Sequence, residues 1–162
     1  MSLYHASTDT TLDVIEPRRT LSKDEYIGDY VFATASESLA AMYLATRGNA
    51  TLMQPEGAKP YIVICNNPDD YIKNDKGGAI YKVPATSFKP TPQEGLEMYE
   101  LVSETSVKPV DKTLYNSSII AMRKKDVSIY FVDQQLFNQL LASKNEEKIL
   151  SSIQPYFFAG EQ

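Results

Sequence analysis

The chain has 162 residues, a length for one domain with a sizeable core. Hydrophobic residues make up 43% and charged residues 23%, a globular balance, and no run approaches the roughly eighteen apolar residues of a membrane helix. A net charge of −5 and an isoelectric point of 4.9 speak against broad nucleic-acid binding, which rests on neutralising phosphates.

The chain runs from Met1 straight into a strand pattern, with no basic segment followed by an apolar core, so no signal peptide is expected. Leu3 to Ser7 reads as the first strand and carries His5, the only histidine. A lone imidazole can build neither a His-rich metal site nor a two-imidazole proton shuttle, so a hydrogen-bonding role is expected. Leu12 to Ile15 is short and apolar, closed by Pro17. Residues 16–29 are polar and contain Gly28, which reads as a loop over a cleft. Tyr30 to Thr34 is a strand. A helix from 35 to about 46 follows, with Thr34 and Glu37 as a capping box, Leu39, Met42 and Tyr43 at helical spacing, and Gly48 at its end. Residues 49–59, with Pro55 and Gly57, read as a loop.

Tyr61 to Cys65 is a continuous apolar run, typical of a buried strand, and Cys65 reads as a small buried hydrophobe rather than a nucleophile. As the only cysteine it cannot form an intramolecular disulfide, so a reducing cytoplasm is the expected setting. Gly77-Gly78 is a turn and Ala79 to Pro84 a further strand. Lys89-Pro90-Thr91-Pro92 opens a loop placed to bear on a substrate, and it leads to a strand that Pro109 limits. Glu100 stands near the start of that strand, between Tyr99 and Leu101, where a carboxylate is costly to bury unless paired or used. Leu114 to Ala121 and Ser128 to Val132 read as two more strands, separated by a basic turn at Arg123 to Asp126. Leu136, Phe137, Leu140 and Leu141 have helical spacing, so Gln134 to about Ser152 is a C-terminal helix, with residues 153–162 as a docked or mobile tail.

Strands do not alternate regularly with helices. The expected class is therefore α+β with a split, mostly antiparallel sheet, not a doubly wound parallel one. Residues 1–162 read as one domain, with a core over about 3–132 and the C-terminal helix and tail over about 133–162.

Three stretches, in order, resemble the ADP-ribosyltransferase-like family of the diphtheria-toxin and poly-ADP-ribose-polymerase type. Tyr4-His5-Ala6-Ser7 looks like the family's Tyr-His-Gly-(Ser/Thr) in the first strand. Phe32-Ala33-Thr34, with Tyr43 eleven residues after Phe32, looks like its aromatic pair at a strand–helix junction. Tyr99-Glu100-Leu101-Val102, followed by Val107-Lys108-Pro109, looks like the strand that its catalytic glutamate opens. The resemblance covers roughly residues 3 to 130. It implies a split antiparallel sheet with a helix after the second strand, and mono-ADP-ribosyl transfer from NAD with no metal. It implies Glu100 as the catalytic residue and His5, Ala6, Phe32, Tyr43 and Arg18 as contacts to NAD. Ala6 stands where the family has a glycine whose backbone approaches the nicotinamide amide. Phe32 stands where many members have tyrosine, so a hydroxyl is missing.

Cleaving the nicotinamide–ribose bond develops oxocarbenium charge on the ribose, which a fixed carboxylate stabilises. Glu104, on the same strand face by period two, is the reserve for Glu100. The Tyr43 ring would cover the nicotinamide with Phe32 on the other side. His5 would hydrogen-bond a ribose hydroxyl or a phosphate, and Arg18 the pyrophosphate. The acceptor stays open between a protein side chain, a nucleic-acid base and a small molecule. Plain structural readings stand beside these: Tyr43 and Phe32 as core rings, Glu100 as a surface carboxylate, His5 as a satisfied structural histidine. Two further functions fit the same chain: nucleotide binding without turnover, motivated by Ala6 and Phe32, and a protein-interaction module acting through loops 16–29 and 85–97. An RNA 2′-phosphotransferase of related fold depends on several arginines, and this chain has four. There is no glycine-rich phosphate loop, Gly-x-Ser-x-Gly, Cys-x-x-Cys or His-Glu-x-x-His pattern.

Overall fold

Strand β1 (Ser2–Ser7) lies antiparallel to β6 (Gly78–Pro84), with His5 opposite Tyr81 and Ala6 opposite Ile80. The far edge of β6 pairs antiparallel with β9 (Asp111–Tyr115). This is a computed structural model, and it describes residues 1–45, 49–55 and 57–157. A second antiparallel sheet runs in the order β2 (Arg18–Ser22), β3 (Glu25–Ala33), β8 (Leu101–Ser103), β7 (Lys89–Pro90). The two sheets meet at one bridge, where Tyr4 and Thr34 exchange backbone hydrogen bonds at 2.8 and 2.9 Å.

A third sheet holds β4 (Ala50–Met53), β5 (Tyr61–Cys65) and β10 (Ser128–Val132). β4 is antiparallel to β5, whereas β10 is parallel to it. Ile62, Val63 and Ile129 are fully buried, as expected of a parallel pair covered on both faces. Helices α1 (Glu37–Tyr43), α2 (Pro68–Asn74), α3 (Ser118–Lys124), α4 (Gln134–Ala142) and α5 (Glu146–Leu150) complete the described elements. The fold is α+β with mostly antiparallel sheets. None of the described helices is long and apolar enough to cross a membrane.

Three apolar clusters hold these elements. Leu39 and Met42 of α1 pack with Ile119 and Met122 of α3 over Ile62, Ile80 and Ile129. On another side, Leu3, Val31, Tyr81, Val83 and Val107 join the first two sheets. Phe137, Leu140 and Leu150 cover Val63 and Val132 of the parallel pair.

Several segments differ from the sequence expectation. Residues 16–29 are a β-hairpin, not a loop, so α1 follows the third strand rather than the second. Lys23 and Asp24 make its turn with φ of 51° and 65°, the left-handed pair that suits a two-residue hairpin. Five of the six residues from Ser22 to Ile27 are non-apolar or exposed, which hid the strands. The helix cap is Ser36, whose side chain accepts from Leu39 N at 3.1 Å, and not the Thr34–Glu37 box. Thr34 Oγ1 accepts from Ser36 N, and Glu37 forms an ion pair with Lys125. Gly48 lies outside the described residues. Residues 49–59 contain edge strand β4. Helix α2, capped by Asn67 with Pro68 at its first position, has no counterpart in the sequence reading.

The strand expected over Leu114 to Ala121 ends at Tyr115, and α3 begins at Ser118. Ser117 caps it locally, and the Asp75 carboxylate accepts from Ser118 N at 2.9 Å. β-Branched Ile119 and Ile120 suggest a strand; a cap supplied from a remote segment decides for helix. The expected basic turn is the last turn of α3, closed by Asp126 at φ 61°. The expected C-terminal helix is two helices, broken where Ser143 turns extended with ψ 142°. The tail docks at Tyr156, whose N–H donates to the Ile129 carbonyl at 2.7 Å and whose ring meets Phe131 edge-on. Residues 158–162 lie outside the described part.

Candidate active site

The site forms where the first two sheets part. Tyr4 and Thr34 are the last residues at which β1 and β3 exchange backbone bonds. Two residues on, the Phe32 carbonyl is taken by the His5 side chain, with Nδ1 donating at 2.6 Å. Period two turns the N–H and C=O of Ala6 toward the same edge as those of Tyr4, and so toward this opening. Ala6 itself is half-buried and packs against the first core cluster.

A carbonyl can only accept, so the His5 proton sits on Nδ1 and Nε2 is left as an acceptor. Burial pushes the His5 pKa below its ordinary 6.5; the Phe32 bond opposes this, and the nearby Arg18 charge adds to it. The imidazole is therefore neutral near pH 7. Arg18 opens β2, opposite Tyr30, and is exposed. Its neighbour Arg19 is engaged elsewhere, with its guanidinium 4.7 Å from the centre of the Tyr26 ring.

Glu100 immediately precedes β8. Its N–H donates to the Leu96 carbonyl at 2.9 Å, and its carbonyl accepts from Thr91 N at 3.2 Å. β8 pairs with β3 through Leu101 and Ala33. Extending that register by one residue sets Glu100 beside Thr34, the bridge partner of Tyr4. Tyr43, in the last turn of α1, donates its hydroxyl to Glu100 Oε1 at 2.9 Å. Tyr43 is 42% exposed; partial loss of hydration, then the Glu100 charge and this bond, push its phenol pKa up. Glu100 Oε2 is buried and has no hydrogen-bond partner among the described residues. A buried carboxylate oxygen left unpaired is costly, and a ligand hydroxyl would satisfy it.

Four of the six sequence-selected residues thus form two bonded pairs, His5 with Phe32 and Tyr43 with Glu100; Ala6 and Arg18 belong to neither. The Phe32 and Tyr43 side chains have different partners: Phe32 packs edge-on against Tyr30 at 6.3 Å, and Tyr43 bonds Glu100. Glu104 does not share a strand face with Glu100, because β8 ends at Ser103; it pairs with Lys89 at 2.9 Å in solvent. Sequence reasoning missed Thr34, whose backbone joins the two sheets, and the Leu96 and Thr91 anchors of Glu100. Backbone partners carry no side-chain signal.

Two cavities lie elsewhere: a smaller one of about 180 Å³ between Tyr4, Glu37, Lys82 and Lys125, and a larger one. The larger measures about 380 Å³ at the C-terminal ends of β5 and β10, between Cys65, Asn67, Phe131 and Gln134. Cys65, expected to be buried, is partly exposed at its rim, with Sγ 3.5 Å from Gln134 Oε1. This cavity is lined by neither the histidine nor an arginine.

Comparison with family models, with curated proteins and with solved structures returns no match.

Proposed function

We propose that the chain is an NAD-dependent mono-ADP-ribosyltransferase-like protein. The observation that carries this reading is the Glu100 carboxylate, bonded through one oxygen to Tyr43 and, among the described residues, buried without a partner at the other. It lies across the end of β3 from the strand of the single histidine. Those are the residues through which the sequence resembles the family.

In this reading the nicotinamide–ribose bond breaks heterolytically. Its electron pair leaves with nicotinamide, which becomes neutral. The acceptor's lone pair forms the new bond to the ribose carbon, and its proton passes to solvent. Glu100 would hold a ribose hydroxyl through Oε2 and stabilise the positive charge that develops on the ring. The Ala6 N–H and C=O would bind the nicotinamide amide. The Tyr43 ring would cover the nicotinamide, and Phe32 would form a wall behind it.

For His5 the geometry favours one of its two expected contacts. A neutral imidazole whose proton is already donated has only a lone pair to offer, which suits a ribose hydroxyl and not a phosphate. Arg18 is then the residue for the pyrophosphate. The unpaired Cys65 fits a reducing compartment such as the cytoplasm.

The test is nicotinamide release from NAD by the wild type and by Glu100→Gln. The reading expects release that falls by roughly 100-fold or more in the variant, with NAD binding retained. NAD binding with no release by the wild type, in the presence of water and candidate acceptors, would make the chain a nucleotide binder of the same fold. Equal release by both proteins would remove Glu100 from the mechanism.

A further inference from the structure

We propose that Tyr43 is a positioning residue, whose hydroxyl clamps one oxygen of Glu100 so that the other is presented to the ribose. This rests on the NAD-cleaving reading above and adds a second role to a ring expected only to stack.

The Glu100 side chain has three rotatable bonds, and just ahead of a strand nothing in the backbone fixes them. The Glu100 backbone is held by Leu96 and Thr91, so only the side-chain torsions remain to be set. Tyr43 sets them from a rigid base. The residues just before it in α1, Leu39, Ala40, Ala41 and Met42, are all buried in the first core cluster. The phenol is therefore carried by a fixed stretch of helix, and its 2.9 Å bond to a carboxylate is of the stronger, charge-assisted kind. With Oε1 engaged, Oε2 is the oxygen left to meet a ribose hydroxyl.

The ring and the hydroxyl can be separated. Tyr43→Phe keeps the stacking surface and removes the clamp, whereas Tyr43→Leu removes both. The clamp predicts that Tyr43→Phe keeps KM for NAD within about twofold and lowers kcat for nicotinamide release by roughly 10- to 100-fold. Tyr43→Leu should in addition raise KM. A second readout needs no activity: carbon-13 NMR of ring-labelled tyrosine, titrated with base. In the wild type the Tyr43 phenol should ionise later than a free tyrosine, and in Glu100→Gln it should ionise earlier than in the wild type.

Unchanged kcat in Tyr43→Phe overturns the clamp while leaving the NAD reading intact. Equal KM increases in both variants, with kcat unchanged, would make Tyr43 a stacking ring only. A wild type that releases no nicotinamide overturns the NAD reading and the clamp's catalytic purpose together. The NMR titration would still say whether the bond exists in solution.

Discussion

The His5 imidazole fills the place where β1 and β3 stop pairing, with Nδ1–H donated to the Phe32 carbonyl at 2.6 Å. A ladder bond would have taken that carbonyl had the strands stayed together. The side-chain bond satisfies it and leaves the Ala6 backbone facing the opening. One contact thus keeps the split open and holds the histidine in a single tautomer.

That contact sets a pH dependence of stability. The folded-state pKa of His5 lies below 6.5, its ordinary value. Below pH 6.5 the unfolded chain takes up a proton that the folded chain refuses. Stability is therefore full above 6.5, falls as pH drops from 6.5 through the lowered folded value, and then levels off. The melting temperature of His5→Gln should lose this component of the slope. Parallel curves for the two proteins between pH 5 and 7.5, roughly the range of histidine titration, would contradict it.

Arg18 and Arg19 should behave differently although they are adjacent. Arg18→Ala is expected to weaken NAD binding by roughly 5- to 20-fold, with the loss shrinking as salt rises. Arg19, stacked on Tyr26, should leave NAD affinity unchanged when replaced by alanine. Isothermal titration at two salt concentrations reads both. Equal effects at the two positions would contradict the assignment of the pyrophosphate contact to Arg18 alone.

Asp75 is a structural residue of the first importance to α3. Its carboxylate accepts from Ser117 Oγ at 2.9 Å, Ser118 N at 2.9 Å and Gly77 N at 3.1 Å. Asp75→Ala should cost about 1–2 kcal/mol, and Asp75→Asn less, since the amide oxygen can still accept. Urea unfolding measures both, and no loss in the alanine variant would refute the capping role.

Two glycines separate backbone strain from close approach. Gly77 has φ 65°, and an added Cβ would lie 2.1 Å from the Tyr115 carbonyl oxygen; Gly57 has φ 73° with nothing within 4 Å. Gly77→Ala should destabilise by at least about 2 kcal/mol, and Gly57→Ala by about 1 kcal/mol. Similar losses at both positions would show that the Tyr115 backbone gives way.

The sequence made some of this legible for clear reasons. The apolar runs Tyr61 to Cys65 and Ser128 to Val132 announce buried strands because both faces are covered, and they pair directly. It could name His5, Phe32, Tyr43 and Glu100 but not pair them, since the bonded partners are 27 and 57 residues apart. The hairpin of β2 and β3 was hidden because its turn uses Lys23 and Asp24, with no glycine to mark it. Helix α3 was hidden because part of its cap comes from Asp75, 43 residues before Ser118. Glu104 misled because period two holds only while a strand continues, and β8 stops one residue short of it.

Binding of NAD at the split is the claim on which the rest depends, and thermal unfolding with and without NAD tests it most directly. At an NAD concentration tenfold above Kd, binding adds about 1.4 kcal/mol, which should raise Tm by roughly 3–6 °C for a chain of this size. His5→Ala and Arg18→Ala should show a smaller rise at the same concentration. A wild-type Tm that does not move at millimolar NAD would contradict the account.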